Sequence, residues 1–272
     1  MTAQALLTRR LFLADLGRGA GALAVVGVAG CAPAGSGASG SASSGASDGP
    51  PTASGPASAT PPAASADSTA PASGAPGDGF TWERVNLGFV SAYVLARGGE
   101  AAIVDTGTAG SEGDIAAALE KIGLGWDSVG HVILTHKHGD HIGSLAAVLD
   151  ATPDATAYAG REDISAMGSA PQLTAVADGD HVFGLRIITT PGHTPGSISV
   201  LDETGGILVA GDALGTSAGA VQGSNPQFTE DMDAALASVV KLGTFEFETL
   251  LVGHGDPIVS GASDLVAAYQ PA

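Results

Sequence analysis

Cysteine is almost missing from this 272-residue chain: Cys31 is the single example, so no intramolecular disulfide can form. Basic residues are scarce, with 10 Lys and Arg against 28 Asp and Glu and a formal net charge of −18. Three of those ten (Arg9, Arg10, Arg18) lie near the N-terminus; beyond residue 30 the balance is 7 basic to 27 acidic, a net charge of −20. Nucleic-acid binding rests on Lys and Arg neutralising phosphates, so this balance excludes it. Acidity of this kind keeps a surface soluble. Aromatic residues are few, and none occurs between residues 32 and 79, a segment built almost entirely of Ala, Ser, Gly, Pro and Thr. Such a segment has too little bulky apolar surface to offset the entropy of ordering it and is expected to be disordered. What remains, residues 80–272, has the length of one domain with its own core.

The N-terminus carries an address. Residues 8–14 read Thr-Arg-Arg-Leu-Phe-Leu-Ala, which resembles a twin-arginine export signal. The weakly apolar stretch Ala20 to Ala29 falls short of the roughly 20 residues that a spanning helix needs. It has the charged-then-apolar plan of a signal peptide. Its end, Val28-Ala29-Gly30-Cys31, resembles the lipobox of bacterial lipoproteins. That resemblance implies cleavage before Cys31 and acylation of that residue. The chain is therefore expected to comprise a signal peptide (1–30), a disordered tether (31–79) and a catalytic domain (80–272). It is expected to be exported and lipid-anchored to the outer face of the membrane, with the tether holding the domain away from the lipid.

Within the domain, Phe89 to Ala96, Ala101 to Val104, His131 to Thr135, Leu185 to Thr190 and Thr249 to Val252 are expected strands. Ser197 to Leu201 and Ile207 to Ala210 form an expected hairpin across Asp202-Glu203-Thr204-Gly205-Gly206. Ser111-Glu112-Gly113-Asp114 has capping-box form and precedes Ile115, Leu119 and Ile122 at helical spacing. Further helices are expected over Ile142 to Leu149, Thr229 to Leu242 with Thr229 as N-cap, and Asp264 to Tyr269. Strands alternating with helices suggest stacked sheets covered by helices.

Each polar cluster follows a strand, on loops where binding residues tend to sit. Five of the seven histidines do so: His136, His138, His141, His193 and His254. Asp140 lies among the first three, and Asp212 follows the strand from Ile207. Imidazoles with carboxylates are donors for a divalent metal. The run Thr135-His136-Lys137-His138-Gly139-Asp140-His141 is too dense for one ion with about four ligands, and the whole set suits two ions. His131 and His181 are read as structural, Tyr93 as core, and Lys137 as solvated or facing a substrate.

His136-x-His138-x-Asp140-His141, followed by His193, Asp212 and His254, is similar in type, order and spacing to the metallo-β-lactamase superfamily. The resemblance covers the domain from about Phe80 to Tyr269. It implies an α+β fold, an αββα sandwich of two mixed sheets flanked by helices. It implies that His136, His138 and His193 hold one metal, that Asp140, His141 and His254 hold a second, and that Asp212 bridges both. Two divalent ions are implied, zinc foremost, with iron or manganese as alternatives. Asp105 matches a non-ligand aspartate that orients a ligand histidine, although an Asp after a strand also serves as a turn cap. The implied activity is hydrolysis of a small-molecule ester, thioester or lactone through a metal-bridging hydroxide, with Asp140 or Asp212 handling the proton. Alternatives within the family are a mononuclear iron sulfur-oxygenase and a β-lactamase-like amide hydrolase; outside it stands a surface binding protein with a silent site. True lactamases lack the bridging aspartate, glutathione thioesterases carry a C-terminal helical domain for which few residues remain after His254, and the RNA-processing nucleases need an inserted arm and a basic surface. The Gly- and Ser-rich segment Ala213 to Phe228 is expected to border the pocket. The fold family alone does not name the substrate.

Overall fold

The structure is a computed structural model and describes residues 79–168 and 172–270. The expected signal peptide, Cys31 and nearly all of the expected tether lie outside these residues. The described strands are β1 (Thr81–Asn86), β2 (Ser91–Arg97), β3 (Glu100–Val104), β4 (Val129–Leu134), β5 (Thr156–Gly160), β6 (Thr174–Val176), β7 (His181–Val182), β8 (Leu185–Thr189), β9 (Ile198–Asp202), β10 (Ile207–Val209), β11 (Leu214–Ser217), β12 (Ala220–Gly223) and β13 (Thr249–Leu251). The α-helices are α1 (Glu112–Lys121), α2 (Gly139–Ile142), α3 (Leu145–Ala151), α4 (Met232–Leu242) and α5 (Ala262–Ala267). Among the described residues no helix is long and apolar enough to cross a membrane.

One sheet runs β1-β2-β3-β4-β5-β6, the second β13-β10-β9-β8-β7, and β11-β12 form a separate hairpin. Both larger sheets are mixed: β3, β4, β5 and β6 pair in parallel, as do β10 and β13, and the other pairings are antiparallel. Alternation along the strands assigns the layers, because successive side chains leave a strand on opposite faces. In β2, Ala92 and Val94 pack with Ile115 and Leu119 of α1, whereas Tyr93 and Leu95 face Ile187, Val200 and Val209 of the second sheet. In β10, Ile207 and Val209 face the first sheet while Leu208 packs with Val239 and Leu242 of α4. Three apolar layers result, helix on sheet, sheet on sheet and sheet on helix, which is the αββα sandwich. Strands buried on both faces explain the near-continuous apolar runs in the sequence.

Local differences from the sequence reading have physical causes. The helix expected from Ile142 to Leu149 is split into α2 and α3 at Gly143, whose N–H donates to Gly107 O at 2.7 Å instead of remaining within a helix. The N-cap of α4 is Asp231, whose carboxylate accepts from Ala234 N at 3.0 Å, so the helix starts at Met232 rather than at Thr229. The capping box at Ser111 does not close: no side-chain cap bond forms, and Ser111 N donates instead to Ser144 Oγ at 2.7 Å. Strands β1, β5, β6, β7, β11 and β12 escaped the sequence reading: β1 carries Glu83 and Arg84 in place of an apolar run, and the others are short, small-residue or contain glycine.

The C-terminal ends of β3, β4, β8, β10 and β13 carry the polar clusters. The parallel registers of β3 with β4 and of β10 with β13 bring these ends to common edges, and β8 runs in the direction of β10 because two antiparallel steps separate them. Hydrogen bonds join the two edges. Ile198 N donates to Thr135 O at 2.8 Å, and Ser91 N to Gly253 O at 2.9 Å. Tyr93, buried between the sheets, donates its hydroxyl to Val252 O at 2.8 Å, and burial pushes its pKa up to about 12. That bond holds the chain just before His254.

Candidate metal centre

His136 and His138 leave β4 on extended backbone, so the two rings share one side and Lys137 takes the other. The short helix α2 then turns the chain and brings Asp140 and His141 around the same point. His193 arrives from the turn after β8, Asp212 from the turn after β10, and His254 from the turn after β13. All seven of the expected metal-site residues therefore meet at one edge of the sandwich.

The donor atoms form linked groups. His138 Nδ1 lies 3.1 Å from His136 Nε2 and 2.9 Å from His193 Nε2. His254 Nε2 lies 3.3 Å from Asp140 Oδ2, and His141 Nε2 lies 3.9 Å from that oxygen. Asp212 stands between the groups. Its Oδ2 is 3.3 Å from His193 Nε2 and 3.2 Å from His254 Nε2, and its Oδ1 is 3.3 Å from His141 Nε2. Three sets (His136, His138, His193; His136, His141, Asp212; Asp140, His141, His254) have donor atoms within 4.8 Å of one another, close enough to share an ion. Tetrahedral zinc with Zn–N near 2.05 Å spaces neighbouring donors about 3.3 Å apart, close to the separations found.

The far side of four of the five rings is anchored. His141 Nδ1 is 2.8 Å from Asp105 Oδ2. Asp105 also accepts from Thr135 N and from Thr135 Oγ1, both at 2.7 Å. The same Thr135 hydroxyl lies 3.0 Å from His136 Nδ1, so one carboxylate fixes two imidazoles, one directly and one through a hydroxyl. His254 Nδ1 donates to Phe89 O at 2.7 Å, and His193 Nδ1 lies 3.3 Å from Thr229 Oγ1. With Nδ1 engaged, Nε2 of these four rings is presented to the centre. His138, which presents Nδ1, is the exception.

The electrostatics suit a cation. Burial, then the neighbouring imidazoles, hold His136 well below the usual histidine range, and burial pushes His193 down to about 4. Burial alone would raise Asp212, but the facing His141 and His254 imidazoles hold it well below the usual carboxylate range. Hydrogen bonding to His254 likewise lowers Asp140. Hydrogen bonding to Asp140 and Asp212 raises His254 to about 10, and the Asp105 and Asp212 carboxylates raise His141 despite its burial. Ionised Asp140 and Asp212 beside neutral His136 and His193 are in the form in which these side chains act as ligands, whereas His141 and His254 hold protons that a bound ion would displace. The sharpest sign of fit is a pair of buried polar atoms. His141 Nε2 and Asp212 Oδ1 have no hydrogen-bond partner, although they face each other across 3.3 Å. A buried polar atom left unpaired is costly, and an ion shared between the two would satisfy both.

The other histidines lie elsewhere. His131 stacks on Phe183 with ring centroids 5.1 Å apart and the planes inclined by 26°, and His181 Nε2 lies 3.8 Å from Glu203. Lys137 is neither free nor fully solvated: its Nζ pairs with Glu230 at 2.7 Å and approaches Asp163 Oδ1 at 3.8 Å. Asp256, which matches no ligand position, pairs with Arg84 at 3.0 Å.

Asp163 was missed by the sequence reading. It is fully buried and its two oxygens tie the His138 loop to the His193 loop. Oδ2 accepts from Lys137 N at 3.1 Å and Thr194 Oγ1 at 2.5 Å, and Oδ1 accepts from Gly196 N at 2.9 Å. No sequence signal marks it, since an Asp in a turn after a strand is ordinary.

A two-sheet sandwich with imidazoles and carboxylates gathered at one edge defines a metal-dependent hydrolase. The chain belongs to the metallo-beta-lactamase superfamily, whose family model matches residues 85–254. Among curated proteins it is 31% identical over 201 residues to a probable metallo-hydrolase, YflN, of Bacillus subtilis, covering 57% of this chain and 75% of the relative. It is also 44% identical over 87 residues to a hydroxyacylglutathione hydrolase of Erwinia tasmaniensis, but that match spans only 32% of the relative and 30% of this chain. Its fold is similar to that of a metallo-beta-lactamase family protein from Thermus thermophilus, with a TM-score of 0.56 and 23% identity over 70% of this chain and 77% of that one.

Proposed function

We propose that this protein hydrolyses a small-molecule ester, thioester or lactone at a two-metal centre. His136, His138 and His193 hold one divalent ion, Asp140, His141 and His254 hold the second, and Asp212 serves both. The observation that carries this reading is the orphaned pair His141 Nε2 and Asp212 Oδ1 at the middle of the donor set. Imidazole with carboxylate, and no thiolate, suits zinc first and iron or manganese next. Bound there, two such ions supply Lewis acidity and an acidified water at neutral pH.

The chain's own residues do the rest. Asp105 and Thr135 hold His141 and His136 in place, so little reorganisation accompanies reaction. In the reaction the oxygen of water bonds to the acyl carbon, the bond to the leaving oxygen or sulfur breaks, and a proton ends on the leaving group. Asp140 handles that proton, because its carboxylate reaches solvent at the rim while that of Asp212 is more enclosed and faces imidazoles with both oxygens.

The test is a panel of esters, thioesters, lactones and β-lactams with protein loaded in its native host, beside metal analysis and O₂ uptake. Two metals per chain and turnover of an acyl substrate are expected, with His138→Ala losing at least about a hundredfold in kcat/KM, beyond the 10–100-fold typical of residues behind the ligands. One iron per chain with O₂ consumption would sink the hydrolase reading, and preference for a β-lactam would move it to amide hydrolysis. Inertness toward the whole panel would favour a binding protein.

The address reading is a second proposal: export by the twin-arginine route and acylation of Cys31, supported by Arg9-Arg10 and by Val28-Ala29-Gly30-Cys31. Labelled fatty acid should enter the protein in cells and should be lost in Cys31→Ser, which should leave the membrane fraction. Continued membrane retention of that variant would refute the anchor.

A further inference from the structure

A cleft of about 170 Å³ opens beside Asp212 and His254, walled by the β11–β12 hairpin. The wall facing Asp212 and His254 carries short, uncharged side chains. Gly215 and Gly223 contribute no side chain, Thr216 and Gln222 contribute a hydroxyl and an amide, and Asn225 closes the far side. The Thr216 hydroxyl is already donated to Asp256 O at 2.6 Å, and the Asn225 oxygen accepts from Gln227 N at 3.0 Å. What the cleft still offers a ligand is amide hydrogen-bonding capacity. On the other flank of His254, the exposed Phe89 ring stacks at 6.1 Å between centroids and presents an apolar face.

Among the described residues no Lys or Arg lines either flank. Beyond residue 78 the chain has seven Lys and Arg residues. Five are paired with carboxylates: Arg84 with Asp256, Lys121 with Glu83, Lys137 with Glu230, Arg186 with Glu203, and Lys241 with Asp178. Arg97 lies over the Phe80 ring, and Arg161 sits in the turn after β5 of the other sheet. At the floor of the cleft lie Asp212 and His254, two members of the donor set paired at 3.2 Å. A carboxylate placed against this wall would lose its water without gaining a basic side chain as partner, which costs free energy.

We propose that the β11–β12 cleft takes the leaving-group side of the substrate and selects an uncharged, hydrogen-bonding group, so that the enzyme discriminates against substrates bearing a carboxylate there. This rests on the hydrolase reading above and names its substrate class: neutral acyl esters or thioesters rather than β-lactams or glutathione conjugates, which carry carboxylates. Bound metal ions would add positive charge at the reacting carbonyl of every substrate, so the ratio between two substrates of one acyl group reads the wall of the cleft.

The experiment uses metal-loaded protein and two thioesters of one acyl group, on N-acetylcysteamine (neutral) and on 3-mercaptopropionate (carboxylate). The kcat/KM for the neutral thioester is expected to be higher by about tenfold or more. Gln222→Arg, which sets a cation on the cleft wall, should narrow the ratio at least about fivefold, and Asn225→Lys should move it the same way. In parallel, calorimetry gives Kd for the two free thiols, which share the metal-seeking sulfur and differ in the group the cleft must hold. Equal or better turnover of the carboxylate thioester, or a ratio unmoved by both cationic variants, would overturn the proposal while leaving a hydrolase. If neither thioester is turned over, thioester hydrolysis of this kind is defeated and the thiol affinities decide the cleft: tighter binding of the neutral thiol keeps the assignment, and equal or weaker binding overturns it.

Discussion

Replacing Asp212 with alanine is expected to lower kcat/KM by about a thousandfold or more, equivalent to about 4 kcal/mol of transition-state stabilisation. Among the described residues no other carboxylate lies within 3.3 Å of imidazoles from both halves of the donor set. Without it, no anion separates His136 and His193 from His141 and His254, and two like-charged ions would be brought together with less opposing charge. Metal analysis should find fewer than two ions per chain. Asp212→Asn is the informative partner, because it keeps the shape, loses the charge and points an N–H₂ donor toward the cations. It should be nearly as damaging as the alanine variant. If Asp212→Asn retained two metals and more than about a tenth of the activity, the bridging role would be wrong.

Asp163→Ala is expected to cost about 3 kcal/mol or more of stability, lowering Tm by about 6–12 °C for a domain of this size. The cost comes from what the carboxylate leaves behind. Lys137 N, Thr194 Oγ1 and Gly196 N all donate to it, and the site is fully buried, so no bulk water replaces it. Lys137 keeps its second partner, Glu230, so the loss is one of backbone and hydroxyl bonds more than of an ion pair. Asp163 fixes the loops carrying His138 and His193, so the variant should also bind metal about 10–100-fold more weakly. Asp163→Asn keeps one acceptor oxygen and should fall between the variant and the native protein on both measures. Thermal denaturation and metal titration with a competing chelator check the two effects. Unchanged metal affinity in a destabilised Asp163→Ala would make the residue purely structural.

Much of the domain was legible because its signals are local. Buried strands show as apolar runs, and the β9–β10 hairpin shows as two such runs around Asp202-Glu203-Thr204-Gly205-Gly206. The spacing of His136, His138, Asp140 and His141 lies within one loop and one helical turn, so it survives as a short pattern. Capping was less legible. Asp231 and Thr229 are both competent N-caps, and the choice between them was made by tertiary contact, with Thr229 drawn toward His193. The capping box at Ser111 failed for a similar reason, since Ser144, which is 33 positions away, supplies the acceptor. Gly253 illustrates a constraint visible only in three dimensions. A Cβ there would collide with Asp212 Oδ1 and lie 2.6 Å from His141 Cε1, so the residue beside His254 has to lack a side chain.

By itself the sequence determined the residue types of the centre, their order, the strand ends that bear them and the acidity of the surface. Those are properties of composition and of short-range spacing. The tertiary structure alone decided which strand ends share an edge, because parallel register joins β3 to β4 and β10 to β13 across long stretches of chain. It decided that Asp212 lies between the two imidazole groups, that Asp105 reaches two histidines, and that Asp163 is buried at a loop junction. It also decided that the Gly-rich β11–β12 hairpin makes an uncharged wall beside the donor atoms. The physical reason is the same throughout: a carboxylate's role is set by the donors packed around it, and packing between residues far apart in sequence leaves no periodic trace.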